Sequence, residues 1–329
     1  MTAGISLHQP SRGVSHYWRA HQTDLLLVSM TFIWGLNFSV TKIALRAFSP
    51  IAFNTLRFII ATSFLLAVLR RRDGGIRVDR RDLMALVILG VLGHGVYQVF
   101  FIEGLAHTTA ANSSLLMATV PIFVALLSAA LGIERVGAQR WLGILLSFGG
   151  IILITLGANG RIDLSSSHLL GDGLMLGGAI TWAVYTVASK PLLARYSPLY
   201  LTAITMVPGM LVWLAIGLPA MLAQDWTAPS LGAWGGLLYS AIFSVGVAFL
   251  IWFNGVQKIG NARTAVYSNG TPVFATLLAW LILGERMTWL QILGAVVILV
   301  GVALVRREDA SRRAATSAGC EPCCVGDSA

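Results

Sequence analysis

Ten apolar runs constrain this chain more than any other feature. They lie near residues 24–45, 51–69, 83–104, 109–133, 138–157, 169–189, 199–222, 231–256, 262–283 and 287–305, with short connections between them. A helix needs about 20 apolar residues to cross the hydrocarbon, because every backbone N–H and C=O there must find its partner within the segment. The runs are continuous and do not alternate, which argues against barrel strands. The strictly apolar stretches of the fifth and tenth, Trp141 to Leu156 and Trp289 to Val305, are the shortest. With 56% of 329 residues apolar and 11% charged, little is left over for a soluble domain. The expected fold class is all-α integral membrane, with ten transmembrane helices.

Charge orients the runs. The formal net charge of +9 would raise nucleic-acid binding in a soluble protein. With the N-terminus placed in the cytoplasm, however, eighteen of the 23 basic residues fall in inside segments, and four (Lys42, Arg46, Arg161 and Arg286) fall outside. That bias predicts cytoplasmic termini and removes nucleic acid as a partner. The polar first 23 residues contain no apolar core of a signal peptide, so the first span is expected to act as its own insertion signal. Cys320, Cys323 and Cys324 all lie in the polar C-terminal tail, where they cannot staple the body of the fold. No metal and no cofactor are expected.

The chain also repeats itself. An offset of 148 pairs Asp24 with Asp172, Trp34 with Trp182, Lys42 with Lys190, and Ser49-Pro50 with Ser197-Pro198. After a three-residue shift, an offset of 151 pairs Gly95 with Gly246, Gly104 with Gly255, Pro121 with Pro272, Glu134-Arg135 with Glu285-Arg286, Gly143 with Gly294, and Gly150 with Gly301. Five spans per half is an odd number, so the second half must enter the membrane from the opposite side. The expected organisation is therefore a cytoplasmic tail (1–23), a first five-helix repeat (24–157), an external linker (158–168), an inverted second repeat (169–305) and a disordered cytoplasmic tail (306–329). Two inverted halves around one central site are the architecture that alternating access requires.

Several segments carry a family likeness: WGLNFSVTK in span one, FNTLRFIIATSFLLA in span two, and AANSSLLMATVPIFVALLSAALGIER with its counterpart ARTAVYSNGTPVFATLLAWLILGER. They resemble the EamA-type family of the drug/metabolite transporter superfamily over about residues 24 to 305. The resemblance implies a ten-helix secondary transporter of a bacterial inner membrane, commonly an exporter of amino acids or other small metabolites. A drug or toxic-compound efflux carrier and, further off, a passive channel are the alternatives. No GxxxxGK[ST] segment is present to support an ATP-driven pump, and neither a GxSG motif nor a pair of deep Asp residues points to an intramembrane protease.

A few residues stand out as candidates for substrate contact. Arg57 is a charge inside a span, about 9 Å along its helix. It either snorkels to the headgroups or clamps a substrate carboxylate. His94 lies mid-span with Gln98 and Phe101 at i+4 and i+7, and is either tied to a neighbouring helix or titrates for proton coupling. Trp34, Asn37 and Thr41 share one face of span one, and Trp182, Tyr185 and Ser189 the matching face of span six. These faces are read as opposite walls of a cavity, with packing as the alternative for the tryptophans. Asn254 and Asn269 are further polar candidates. Pro121 and Pro272 predict kinks, either gating or static. Asp24 and Asp172 are expected to cap their helices, and Glu134 and Glu285 to pair with the adjacent arginines. With no Asp or Glu near the middle of any span, a zwitterionic or anionic small-molecule substrate is favoured over a cation.

Overall fold

The computed structural model describes residues 12–73, 78–131, 138–159 and 167–318. Glu134, Arg135, Arg161 and the three cysteines lie outside the described residues. Among the described residues the regular structure is helical and forms ten rods. These are α1 (Arg12–Ala44), α2 (Pro50–Asp73), α3 (Arg80–His107), α4 (110–130), α5 (Ala138–Asn159), α6 (Ser167–Leu193), α7 (Pro198–Ala223), α8 (Leu231–Ile259), α9 (261–283) and α10 (Trp289–Ala318). By length and composition six stretches are apolar and long enough to cross a membrane: Gln22–Ala44, Pro50–Arg72, Arg80–His107, Ala110–Leu127, Pro198–Ala223 and Leu231–Ile259. Thr271–Leu283 and Trp289–Gly301 are shorter apolar helices.

Local chemistry sets where the rods begin. In each Ser-Pro step the serine caps the helix that the proline opens. Ser49 Oγ accepts from the Ala52 N–H at 3.3 Å and Ser197 Oγ from the Tyr200 N–H at 3.2 Å. Thr288 and Gln291 cap α10 reciprocally, the Gln291 N–H donating to Thr288 Oγ1 and the Thr288 N–H to Gln291 Oε1. Helix continues past the expected edges at both ends of the chain. Residues 306–318, expected to be disordered, are helical in α10, where Arg and Ala are good helix formers.

Two expectations about acidic residues fail for one reason, a partner distant in sequence. Asp24 and Asp172 lie inside α1 and α6 and cap neither: Asp24 accepts from the Tyr267 hydroxyl at 2.6 Å, and Asp172 from the Thr108 hydroxyl at 2.7 Å. Glu285 is not spent on Arg286, which is exposed. Its two carboxylate oxygens accept from the Ala110 and Ala111 N–H groups, both at 3.1 Å, on the first turn of α4. The unpaired N–H groups and positive dipole end of that helix attract a carboxylate. Gly284, at φ 69°, ends α9 in a left-handed turn that leads directly into Glu285. Lys42 Nζ serves the adjoining end of α3, donating to the carbonyls of Leu105, Ala106 and Thr108 at 2.8, 3.2 and 2.5 Å.

The rods pack with a two-fold logic. Contacts of α3 with α6 are matched by those of α8 with α1, α4 with α6 by α9 with α1, and α3 with α7 by α8 with α2. The self-related pairs α2 with α7 and α5 with α10 also pack together. A Cβ added at Gly150 of α5 would stand 2.7 Å from the Gly294 carbonyl oxygen of α10, so this last pair needs a bare glycine to approach.

Two backbone irregularities are duplicated in the same register, while a π-turn at Ala279–Leu283 of α9 has no counterpart among the described residues. Wide π-turns interrupt α3 at Val91–Val96 and α8 at Ser240–Val247. A break after Met117 divides α4, and a tight 3₁₀ turn at Ser268–Gly270 divides α9. Pro121 and Pro272 stand just beyond these breaks, where a missing N–H and a bulky ring are tolerated at a helix start.

The same joint is built twice from different side chains. Where α3 begins, Asp82 accepts from Arg195 Nη1 at 2.7 Å and from the Tyr196 hydroxyl at 2.6 Å, a bond that raises the Tyr196 phenol above its ordinary range. At the repeat-related joint, Phe48 packs on Trp234 and Trp226 at 5.2 and 6.1 Å, and Gln224 bridges the Ala47 carbonyl and the Ser49 N–H.

Removing the carboxylate of Glu285 leaves two N–H groups of α4 without their acceptor. Glu285→Ala is expected to cost about 1–2 kcal/mol, read as a lower melting temperature in detergent, while Arg286→Ala stays within about 0.5 kcal/mol of wild type.

Candidate functional site

Side chains from both halves enclose one cavity, whose space, including the part open to solvent, is about 610 Å³. Trp34, Asn37 and Phe38 come from α1, Arg57 from α2, and Tyr97, Gln98 and Phe101 from α3. Ser114, Met117, Ala118 and Val120 flank the break in α4, and Ser268 and Thr271 the break in α9. Trp182 of α6 and Ser244, Val245, Phe249 and Trp252 of α8 complete the wall. The repeat register explains this set. Trp34 and Trp182, Gln98 and Phe249, Phe101 and Trp252, Met117 and Ser268, and Val120 and Thr271 are equivalent positions, and both members of every pair line the cavity.

Arg57 is 1% exposed, so it does not snorkel. Its Nη1 donates to Ser240 Oγ at 3.0 Å and its Nη2 to Gln98 Oε1, while the Nε–H has no partner among the described residues. Its guanidinium carbon lies 5.6, 5.8 and 5.9 Å from the ring centres of Phe53, Phe58 and Phe101. Two neutral acceptors and three rings hold the planar fork in place beside the cavity.

Asn37 is buried in the wall and accepts from the Thr41 hydroxyl at 3.2 Å. Trp34 and Trp182, expected on opposite walls, meet edge to face at 6.1 Å. Trp34 is anchored by its indole N–H, which donates to the Ser244 carbonyl at 3.1 Å.

The stripe of His94, Gln98 and Phe101 is not a single face. His94 lies within the π-turn, whose wider winding changes the helical register, so Gln98 and Phe101 line the cavity and His94 does not. Its Nε2 is 3.1 Å from Thr205 Oγ1 and 3.0 Å from the Tyr185 hydroxyl, and those two oxygens are 3.2 Å apart. Its carbonyl accepts from the Trp213 indole N–H at 2.8 Å. Tyr185 is thereby drawn behind the wall, into a polar knot joining α3, α6 and α7. Phe249 stacks on the imidazole at 5.7 Å and separates it from the cavity.

Asn254 is half-buried and does not line the cavity, and the side chain of Asn269 lies outside the described residues. Ser240, Ser244, Thr271 and Trp252 were not singled out from the sequence. Trp252 could have been found by carrying Phe101 across the repeat, whereas Ser240 corresponds to Leu89 and gives no such signal. Among the described residues no group of three or more His, Cys, Asp or Glu could hold a metal.

The EamA-like transporter family model matches this chain twice, over residues 21–156 and 169–307. The chain belongs to that family. EamA members are transporters, and the chain is accordingly a multi-pass membrane protein. An uncharacterized transporter of Archaeoglobus fulgidus is 30% identical over 86% of this chain and 98% of its own length. A protein of Streptantibioticus cattleyicolor named as a probable terminal-alkyne amino-acid exporter is 29% identical over 87% and 94%. One solved crystal structure, 23% identical, superposes with a TM-score of 0.64 over 87% of this chain and 98% of that one, which marks a shared fold.

Gln98→Leu removes one of the two oxygen acceptors that hold the buried guanidinium. A stability loss of about 1.5–3 kcal/mol is expected, the range for a hydrogen bond to a charged group, measured by thermal unfolding of the purified protein.

Proposed function

We propose that this EamA protein is a secondary transporter that exports a small metabolite bearing a carboxylate by alternating access around the central cavity. In this reading all ten rods cross the membrane, the two halves have inverted topology, and both termini face the cytoplasm. The 18-to-4 distribution of basic residues supports that orientation.

One observation carries the proposal: a buried guanidinium fork in a cavity to which both repeats contribute, at the breaks of α4 and α9. A fork of this kind suits bidentate recognition of a carboxylate. Broken helices at the meeting of two repeats are where secondary transporters bind substrate. Tilting of the half-helices beyond Pro121 and Pro272 would change which side the cavity faces. The relative named as an amino-acid exporter favours this cargo over lipophilic cations. Asn37, Gln98 and Trp182 are assigned to the wall that receives the cargo. His94 and Tyr185 are assigned to holding α3 against α6 and α7 rather than to proton coupling, because Phe249 stands between the imidazole and the cavity.

Comparative metabolite and amino-acid profiling of medium from cells expressing wild type and Arg57→Ala is the test. Export of one carboxylate-bearing solute should rise with the wild type and fall about ten- to a hundredfold with the variant. Flux that saturates and is stimulated by solute on the far side is expected of a carrier, and an unsaturating conductance would instead indicate a channel. In proteoliposomes His94→Gln should retain the wild-type pH dependence of flux, and a flattened profile would return the proton to His94.

A further inference from the structure

Arg57 is the one charged side chain lining the cavity among the described residues. Its partners Gln98 and Ser240 are neutral, its ring neighbours are phenylalanines, and no carboxylate among the described residues pairs with it. A guanidinium does not shed its proton to escape such a site. The described residues therefore hold a fixed positive charge in a low-dielectric interior and supply no side-chain anion to cancel it.

Building on the proposal that Arg57 clamps a carboxylate, we infer that the cargo carries one net negative charge, and that the membrane potential acts on the substrate-free carrier. Two arguments lead there. A bound monoanion cancels the guanidinium, so the loaded cavity exchanges faces electrically neutral. A zwitterion brings an ammonium to roughly 6 Å from the guanidinium, where at an effective dielectric near 20 the repulsion lowers affinity at least tenfold. No acidic residue of the described cavity wall offsets that repulsion.

When access to the cavity shifts from one side to the other, the transmembrane field shifts across Arg57, which is equivalent to moving one positive charge through it. An inside-negative potential draws the substrate-free carrier toward the cytoplasm-facing state, by up to about fifty-fold per 100 mV. That is the return step of an exporter, so the potential resets the carrier without acting on the loaded form.

The full-length protein allows two measurements. Voltage steps across planar bilayers containing the protein and no substrate should evoke a saturating displacement of up to one elementary charge per transporter. Arg57→Lys should keep it and Arg57→Gln should abolish it. No displacement in the wild type, or undiminished displacement in Arg57→Gln, overturns the inference. Radioligand binding to purified protein then compares 4-methylpentanoate with L-leucine, which has the same skeleton plus an ammonium. At least tenfold tighter binding of the monoanion, lost in Arg57→Gln, is expected. Binding of L-leucine that is equal or tighter, with both lost in Arg57→Gln, overturns the monoanion cargo and leaves the clamp standing, and so does binding of L-leucine alone. Binding that Arg57→Gln leaves intact overturns the clamp as well, and no binding of either probe overturns the monoanion cargo.

Discussion

In hydrocarbon a backbone N–H or C=O without a partner costs several kcal/mol, so a chain crossing it must stay helical unless protein or a water-filled space covers the interruption. The rest of this structure depends on that constraint. The π-turns of α3 and α8 and the breaks of α4 and α9 interrupt the helical ladder, and residues within or beside all four of them line the same cavity or flank its lining. A further π-turn, at Ala279–Leu283 of α9, contributes no residue to the cavity lining. The close-packed pair α5 and α10 contributes no side chain to the cavity wall among the described residues and is held at a glycine contact.

Duplication explains the frame, and departures from duplication explain the chemistry. Arg57 and Thr205 occupy equivalent positions, as do His94 and Val245. Arg57 and Val245 face the cavity, while Thr205 and His94 bond to each other behind the wall. The first half thus contributes a charge to the site, and its His94 joins Tyr185 and Thr205 of the second half in a polar knot that braces α3, α6 and α7.

Much of this was legible in the sequence because it follows from local rules or from repetition. The apolar runs, the offsets of 148 and 151, the kinks at Pro121 and Pro272, and the anomaly of Arg57 within a span each depend on residue type and position alone. Asn37, Gln98 and Trp182 were singled out on the same grounds, and they line the cavity. What was misread depends on register or on distant partners. The His94 stripe assumed 3.6 residues per turn, and the π-turn shifts that register. Asp24, Asp172 and Glu285 were given local roles, yet their partners Tyr267, Thr108 and the Ala110 N–H are distant in sequence. Ser240 was invisible because its repeat counterpart is Leu89 and its value arises only from its 3.0 Å approach to Arg57.

The duplicated joint shows how far equivalent positions can diverge in what they resist. Asp82, Arg195 and Tyr196 correspond across the repeat to Ala233, Ala47 and Phe48. The first joint is an ion pair whose arginine is 53% exposed, so water and salt screen it and its contribution is at most about 1 kcal/mol. The second joint rests on Phe48 against Trp226 and Trp234, whose attraction is short-ranged, apolar and insensitive to ionic strength. Motion that separates the halves at one end must therefore break a charged contact that water can replace on each side. Motion at the other end must expose aromatic surface that water does not replace. Equivalent positions across the repeat thus build one joint that ionic strength weakens and one that it leaves unchanged.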